Sequence, residues 1–390
     1  MKYKLGDICN IVSGSTPKTN ISEYWEGNLK WITPAELTDD SYIITDTARK
    51  ITELGASKTA INPFPSGTVL LSSRAPIGKV AIAGCEMYCN QGFKNLICSN
   101  KIYNKYLFWF LKSKTAFLNS LGRGSTFKEI SKQIVSDIII DLPEFDKQVK
   151  MSDVLEEITN LISIKNQQLE QLDLLVKSRF VEMFGDPVKN PNGYPIKNIS
   201  SLLRDKASNG YFAKRDEYVK SGNAKILGVV NIVNRMYCSV SNLPETNVKE
   251  KDIEKYKVSY GDILFCRSSL VAEGIGKASI VPLNIENNIL FECHVIRIPL
   301  DLSFCVPEFI QVFTTTDFFR EQIFSQAKTS TMTTISQDGI LKANVVLPPK
   351  KLQESFYSFV VQVEQQKSTV KHSLEELGML KASLMQKYFG

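Results

Sequence analysis

The sequence predicts an α+β protein with two globular units of mixed α and β structure in a pseudo-two-fold arrangement, separated by an antiparallel two-helix coiled coil. Three observations predict this fold class. The chain has 390 residues, enough for two domains of ordinary size. A stretch of about sixty residues recurs at a fixed offset, as expected for a duplicated chain. Each copy contains a long segment whose apolar residues follow helical spacing.

The repeat relates residues 125–185 to residues 330–390 without a gap. The matching pairs include Ser125-Thr126 with Ser330-Thr331, Leu142-Pro143 with Leu347-Pro348, Gln148 with Gln353, and Phe184-Gly185 with Phe389-Gly390. Further upstream the match is looser. Residues 67–71 and 261–265 are each a glycine-led apolar run followed by Ser and Arg, and each run leads to Ile-Gly-Lys. The chain therefore contains a globular segment and a connecting segment, each present twice.

Both connecting segments are predicted to be long helices that begin after Pro143 and Pro348. Their apolar residues alternate spacings of three and four, which is typical of a coiled-coil seam. The seam residues are Leu155, Ile158, Ile162, Leu169, Leu172, Val176 and Met183 in the first helix, and Val360, Val363, Val370, Leu374, Leu377, Leu384 and Tyr388 in the second. Lys165 and Arg179 interrupt the first seam, and Lys367 and Lys381 the second. We expect the two helices to bury these seams on each other; packing on other subunits is the alternative.

The globular segments contain short strand-like runs and helical stretches without regular alternation, so a doubly wound sheet is not expected. The runs are 68–71, 80–83, 138–142, 226–230, 263–265, 295–298 and 345–347, and the helical stretches are 105–112 and 307–313. The chain contains no apolar run of about 18 residues, and its first residues lack the apolar stretch of a secretory signal. We therefore expect a cytoplasmic protein without a membrane partner, whose eight cysteines are reduced.

Catalytic motifs are absent from the sequence, which predicts a binding protein rather than an enzyme. Neither a phosphate-binding loop nor a dinucleotide fingerprint, a zinc-protease motif or a nucleophile elbow occurs. The only two histidines are His294 and His372. We expect His294 to be a core side chain and His372 to lie on the outer part of the second helix. We predict no catalytic residues, no metal site and no cofactor in this chain.

The formal net charge of +6, from 47 basic and 41 acidic residues, says little about partners by itself. The largest local excess lies in residues 101–132, where seven basic residues stand against Glu129 alone. These are Lys101, Lys105, Lys112, Lys114, Arg123, Lys128 and Lys132. This stretch is a candidate surface for an anionic partner. A solvated helix face is the alternative.

Several strings, in their order along the chain, resemble the specificity subunit of type I restriction-modification systems. They are Gly14-Ser15-Thr16-Pro17-Lys18-Thr19, Trp31-Ile32-Thr33-Pro34-Ala35-Glu36-Leu37, Leu71-Ser72-Ser73-Arg74, Asn90-Gln91-Gly92-Phe93-Lys94 and Gly261-Asp262-Ile263-Leu264-Phe265-Cys266-Arg267-Ser268. The resemblance covers the whole chain, including the duplication and both helices. The second globular segment departs from it at residues 209–218, where the Ser-Gly-Ser-Thr-Pro stretch is replaced.

The resemblance implies two target-recognition domains, residues 1–145 and 186–349, and two conserved spacer helices, residues 146–185 and 350–390. Each domain would read one half of a split site in double-stranded DNA. The helices would set the spacer and dock two methyltransferase subunits. S-adenosylmethionine, ATP and Mg²⁺ would be bound by the methyltransferase and the restriction/translocase subunits, and this chain would be a non-catalytic subunit.

Candidate DNA-binding residues follow from strand-end loops and basic positions, since Arg, Lys, Asn, Gln, Ser and Thr contact bases and phosphates. In the first domain they are Ser15, Lys18, Thr33, Ser73, Arg74, Lys79, Asn90, Gln91, Lys94, Arg123, Ser125 and Lys128. In the second they are Lys214, Arg215, Asn231, Arg235, Arg267, Ser268, Ser269, Lys277, Lys328 and Thr329. Exposed solubilising charges and turn caps are the alternative reading. A specificity module of another restriction-modification architecture, or a coiled-coil scaffold that binds protein or RNA, also stays open.

Overall fold

The computed structural model describes residues 1–74, 76–122 and 128–390, with Arg215 described by its backbone alone. The chain divides into two units. Unit 1 comprises Met1–Asn166 and His372–Gly390, and unit 2 comprises Gln167–Lys371. Each unit thus combines a globular segment with parts of both connecting helices.

The described residues of unit 1 form ten short strands and five short α-helices before the first connecting helix. The strands are β1 (Lys2–Lys4), β2 (Cys9–Val12), β3 (Trp25–Ile32), β4 (Ile43–Ile44), β5 (Arg49–Ile51), β6 (Val69–Leu71), β7 (Val80–Ala83), β8 (Tyr88–Cys89), β9 (Asn95–Cys98) and β10 (Ile139–Asp141). The helices are α1 (Leu5–Ile8), α2 (Glu53–Thr59), α3 (Asn104–Ser113), α4 (Thr115–Ser120) and α5 (Lys132–Ser136). The first connecting helix is α6 (Phe145–Phe184).

Unit 2 repeats this plan with more strands. They are β11 (Ile196–Asn198), β12 (Ser208–Asn209), β13 (Tyr218–Val219), β14 (Ala224–Leu227), β15 (Glu245–Thr246), β16 (Asp262–Cys266), β17 (Ser268–Ser269), β18 (Ala278–Ile280), β19 (Ile289–Phe291), β20 (Val295–Pro299), β21 (Lys328–Thr329), β22 (Thr333–Thr334) and β23 (Asn344–Val346). The helices are α7 (Val229–Ile232), α8 (Glu250–Tyr256), α9 (Pro307–Phe313), α10 (Asp317–Gln326) and α11 (Gln337–Leu341). The second connecting helix is α12 (Lys350–Phe389).

The sheets of both units are small and largely antiparallel. Unit 1 has a five-stranded sheet of order β2-β9-β6-β7-β4 and a three-stranded sheet of order β5-β3-β8. Unit 2 has a four-stranded sheet of order β12-β20-β16-β18, a second of order β13-β15-β14-β19, and a three-stranded sheet of order β17-β22-β21. In each unit one pair of neighbouring antiparallel strands, β6 with β7 or β16 with β18, packs on a buried helix, α3 or α9.

One predicted strand is wrong. The apolar run 226–230 forms β14 and then the short helix α7. The break falls at Gly228, whose backbone N–H donates to the side chain of Asn231 at 2.9 Å instead of continuing a strand ladder. A side chain that offers the backbone a local partner favours a turn over a strand.

Both connecting helices are 40 residues long, about 60 Å at 1.5 Å per residue. In unit 2 the rings of Phe180 and Phe356 lie 5.7 Å apart, and Lys367 Nζ lies 2.7 Å from Asp173 Oδ1. These contacts run in opposite directions along the two helices, so the segments are antiparallel. In unit 1, Leu155 and Phe389 belong to one apolar core. The predicted fold class, with paired antiparallel helices, is confirmed within each unit.

A buried glutamine ties the first turn of each long helix to its unit. Gln148 accepts a hydrogen bond from Tyr103 N at 2.8 Å and donates to Lys101 O and Pro143 O. Gln353 accepts from Val306 N at 2.9 Å and donates to Phe304 O and Pro348 O. Since the two side chains perform the same task, α3 corresponds to α9 as α6 corresponds to α12.

Candidate nucleic-acid interface

Three segments of unit 1 meet at Ser73, directly after strand β6. Ser73 N donates to Gly92 O at 2.7 Å, and Ile130 N donates to Ser73 O at 2.9 Å. The preceding residue closes a hairpin with Lys79, because Ser72 N donates to Lys79 O at 2.9 Å. These backbone bonds bring the candidate loops 72–79, 90–94 and 128–130 together. Ser73 itself is fully buried, so it supports the loops from inside.

A charged cluster lies where these loops meet. Glu129 accepts from buried Lys94 at 3.1 Å and stands 3.9 Å from the guanidinium of Arg74. Lys94 also donates to Ser73 Oγ at 3.4 Å. Arg74 keeps about a third of its side chain exposed. Glu129 therefore orients one partly exposed guanidinium, and Lys94 serves the carboxylate rather than the surface.

A second group of candidates lies on loops held by tryptophans. The indole of Trp31 donates to Ser15 O and that of Trp25 to Lys18 O, each at 3.1 Å. Thr16 then donates to exposed Gln91 at 2.5 Å. The two Trp rings pack edge to face with centroids 5.1 Å apart. The loop 15–18 is thus fixed from below, and the side chains of Lys18 and Gln91 are exposed.

Three further candidates in unit 1 have local hydrogen-bonding tasks, and two fall outside the described residues. Lys79 Nζ donates to Leu37 O at 2.6 Å, and Asn90 Oδ1 accepts from Gly92 N at 2.9 Å. Thr33 donates through its backbone and hydroxyl to Glu36. Lys128 is exposed. The candidates Arg123 and Ser125 lie outside the residues that the structure describes.

Unit 2 repeats the backbone frame with different side chains. Cys266 N donates to Lys277 O, Arg267 N to His294 O, and Ile335 N to Arg267 O, at 2.8, 2.8 and 3.0 Å. Arg267 therefore occupies the backbone position of Ser73, and Ser268 the position of Arg74. The alignment of residues 67–71 with 261–265 gives the same correspondence, although the arginines of the two strings then stand one residue apart.

Five candidates of unit 2 gather at one small sheet. Ser268 pairs with Thr334 and Ser269 with Thr333 in β17 and β22, while Lys328 and Thr329 of β21 pair with the same strand from its other side. Lys328 and Thr329 are exposed. Arg267 precedes this sheet and donates from Nη1 to Cys293 O at 3.1 Å. The result is a surface rich in hydroxyl groups beside one oriented guanidinium.

The expectation that His294 is a core residue is wrong, because its side chain is exposed. It lies in the turn that precedes β20, and its carbonyl accepts a hydrogen bond from Arg267 N. An imidazole beside Arg267 and the hydroxyl-rich sheet is a candidate that the sequence did not suggest. The apolar run that follows His294 concealed the turn.

The other candidates of unit 2 divide between caps and exposed cations. Asn231 caps the turn at Gly228, and Lys214 donates through its backbone to Glu217. Lys277 Nζ donates to Asn234 Oδ1 at 2.6 Å, and Arg235 is exposed. The side chain of Arg215 lies outside the described residues.

A groove of about 550 Å³ in unit 2 adds cations that the sequence did not single out as binding residues. Its lining includes Arg235 and Lys277 together with Lys177, Arg320, Lys367 and Lys371. Burial opposes the charge of Lys367, but its hydrogen bonds to the carboxylates of Asp173 and Glu364 prevail and raise its pKa. Burial lowers the pKa of Arg320. No sequence pattern could have found this set, since its members come from five separate stretches.

Residues 1–74, 76–122 and 128–390 contain no group of three or more His, Cys, Asp or Glu side chains that could hold a metal ion. Nor is any helix in the same ranges both long and apolar enough to cross a membrane. The arrangement is one of polar and basic loops on a rigid frame, which suits recognition of an extended anionic partner.

Comparisons with known proteins agree on one family. The model of the type I restriction modification DNA specificity domain matches residues 1–174. The MjaIX specificity subunit of Methanocaldococcus jannaschii is 29% identical, with 92% of this chain and 85% of that protein covered. The EcoKI specificity subunit of Escherichia coli K12 is 23% identical, with 81% and 72% covered.

Solved structures show the same fold over the whole chain. The S subunit of a type I restriction-modification system from M. genitalium matches with a TM-score of 0.57 at 13% identity, covering 100% of this chain and 96% of that one. A chain from a study of complex assembly in the type I system matches with a TM-score of 0.58 at 15% identity, covering 100% and 97%. The predicted resemblance is confirmed: the chain is similar in sequence and in fold to specificity subunits of type I restriction-modification systems.

Proposed function

We propose that this chain is the sequence-reading subunit of a type I restriction-modification complex, and that each unit reads one half of a bipartite, asymmetric target in double-stranded DNA. One observation carries the proposal. Both units close the same loops with the same backbone hydrogen bonds, yet unit 1 presents Arg74 where unit 2 presents Ser268. A shared frame with different side chains suits two half-sites of different sequence.

The chemistry of the loops supports direct readout. Base edges in the major groove are distinguished by hydrogen-bonding side chains, and Arg binds guanine through two acceptors. Arg74 and Arg267 are each oriented by a neighbour, Glu129 or Cys293 O, and so lose less conformational freedom on binding. Exposed Lys18, Lys128 and Lys328 are suited to phosphates, which position a protein without specifying sequence.

The long helices would serve as the spacer element. Half-sites read from one face of B-DNA lie about 34–36 Å apart or multiples of this distance. A helix of 40 residues is longer than one such turn. Both long helices also have exposed apolar side chains, including Val154, Leu161 and Leu175 on α6 and Met379 on α12. Exposed apolar residues on a long helix support docking of partner subunits.

We assign the chemistry to those partners. Two methyltransferase subunits would bind S-adenosylmethionine and methylate adenine, and restriction/translocase subunits would use ATP and Mg²⁺. This chain would contribute addressing and assembly and would be non-catalytic.

Sequencing the methylome of a host that expresses this chain with its methyltransferase subunit tests the proposal. We expect methylated adenines in a motif with two unlike specified halves and an unspecified spacer of fixed length. A host that expresses the methyltransferase subunit alone is the control and should lack the motif. Methylation without a bipartite motif, or no methylation at all, would contradict the proposal and leave the protein- or RNA-binding scaffold as the better reading.

A further inference from the structure

The basic groove of unit 2 lies between its sheet region and the paired helices. Lys177 comes from α6, Lys367 and Lys371 from α12, Arg320 from α10, and Lys277 from the hairpin that also carries Ser268 and Ser269. Met236, Ala278 and Val312 form an apolar part of the lining, and Gln311, Thr314 and Thr315 add polar groups. The groove therefore combines cations from both long helices with cations of the candidate recognition loops.

Most of these cations are not neutralised. The two acids of the lining, Asp173 and Glu364, both pair with Lys367, at 2.7 and 2.6 Å. Lys277 binds the neutral amide of Asn234, and Arg320 donates to the carbonyl of Glu273. Within the part of the chain that the structure describes, no ion pair involves Lys177, Arg235 or Lys371. An uncompensated cluster of this kind raises the local concentration of anions.

At the corresponding position of unit 1 an aromatic side chain packs on the helix α3. Ile82 N donates to Tyr42 O at 2.7 Å, and Ile280 N donates to Met236 O at 2.8 Å, so Met236 takes the place of Tyr42. The ring of Tyr42 lies 4.9 Å from Phe108 and 6.1 Å from Trp109. Unit 2 has Gln311 and Val312 at the corresponding positions of α9.

We propose that this groove binds the sugar-phosphate backbone of the DNA whose bases the neighbouring loops read; the inference rests on the proposed function. DNA is favoured over an acidic protein segment because Lys277 and Arg235 join the groove to the loop region of Arg267 and Ser268. A duplex that contacts these loops presents a continuous line of phosphates. The two long helices would then contribute to the DNA-binding surface of the protein, in addition to setting the spacer.

The salt dependence of DNA binding tests the assignment. We would measure the affinity of the full-length chain for a duplex carrying its target between 50 and 200 mM salt, as wild type and with Lys177→Gln, Arg235→Gln, Lys277→Gln and Lys371→Gln combined. Each lost phosphate contact reduces the slope of log affinity against log salt by about 0.9. We therefore expect the slope for the fourfold variant to be shallower by about three and a half, with the target sequence unchanged.

A matched control removes the same charge elsewhere in unit 2. Lys189, Lys206, Lys249 and Lys251 are exposed, and replacing all four by Gln should leave the slope within about one of wild type. A third variant changes shape without charge. Met236→Tyr should fill the groove and should weaken DNA binding several-fold, whereas Met236→Leu should not. Thermal unfolding midpoints would show that each variant is folded.

The outcomes separate this inference from the proposed function. If wild-type chain does not bind DNA, the proposed function itself fails. If the wild-type chain binds DNA but the groove variant keeps the wild-type salt slope, the groove does not bind the DNA backbone, while the proposed function stands. The same conclusion follows if the slope of the control variant falls by as much as that of the groove variant. Retained DNA binding with loss of the methyltransferase subunit in copurification would identify the groove as a protein-docking surface, which also overturns the assignment.

Discussion

The loops that follow β6 in unit 1 and β16 in unit 2 share a backbone frame but differ in their chemistry. In unit 1, Arg74 stands opposite Glu129 and the surface is charged. In unit 2, Ser268 stands opposite Thr334 and the surface carries hydroxyl groups. Gly78 and Gly276, each at positive φ, close both hairpins in the same way. The backbone bonds maintain the fold, so the exposed side chains are free to vary with the sequence they read.

The largest expected effect tests whether the two frames are energetically equivalent. Gln353→Leu would leave Val306 N and the carbonyls of Phe304 and Pro348 without this partner. Gln148→Leu would do the same to Tyr103 N and the carbonyls of Lys101 and Pro143. Unsatisfied buried groups cost about 1–3 kcal/mol each, so each variant should lose about 3 kcal/mol or more of unfolding free energy. Urea denaturation measures this. The exposed neighbours Lys147→Gln and Lys351→Gln are controls; a loss from only one glutamine would show that the frames differ.

The next effect separates the two units by specificity. Arg267→Ala should relax the preference for one half-site only, and Arg74→Ala the preference for the other, each by about 1–3 kcal/mol of base discrimination. Methylome sequencing with each variant reads both halves at once. If affinity instead fell equally for every sequence, the arginine would be a phosphate contact.

The smallest effect concerns a matched pair of helix positions. Lys105 of α3 forms an ion pair with Glu156 at 2.6 Å, whereas its counterpart Glu308 of α9 is buried and accepts from Tyr237 at 2.9 Å. Burial raises the pKa of Glu308. The folded state then binds the proton more tightly than the unfolded state, so stability falls as pH rises from the ordinary range of Glu through the raised pKa.

Glu308→Gln should remove this fall, because an amide does not titrate in that range. Thermal unfolding at pH 5 and pH 8 should show a smaller difference for the variant than for wild type, and Glu156→Gln in unit 1 provides the comparison. Identical pH profiles for wild type and Glu308→Gln would mean that burial of the ionised Glu308 carboxylate does not destabilise the folded state.

Much of the frame was readable from the sequence. The repeat predicted two units and two helices, and the match of Gln148 with Gln353 pointed to a shared structural task before the task was known. The helical stretch 307–313 coincides with α9. The run 226–230 failed because a local Asn–Gly hydrogen bond overrode its apolar character.

The candidate site was predicted less completely. Basic and amide residues at strand ends indicate loops, but they do not show which side chains face inward. Lys94 is buried and pairs with Glu129, and Lys79 donates a hydrogen bond to the carbonyl of Leu37. Arg74 and Arg267 occupy positions one residue apart in the shared frame, so the same residue type does not mark the same position in the two units. The sequence predicts a core position for His294 because this turn residue directly precedes the apolar residues of β20 and resembles a part of that strand.

The sequence by itself determined the duplicated plan, the two long helices, the absence of catalytic motifs and the resemblance to a family. These depend on order and periodicity along the chain, which local chemistry encodes. Only the tertiary structure decided which cations stand together. The groove gathers Lys177, Arg235, Lys277, Arg320 and Lys371 from distant parts of unit 2, and its lining has Met236 where unit 1 has Tyr42. Packing between distant elements decides which cations line the groove and which residues stand beside them. Such packing produces no periodic pattern in the sequence.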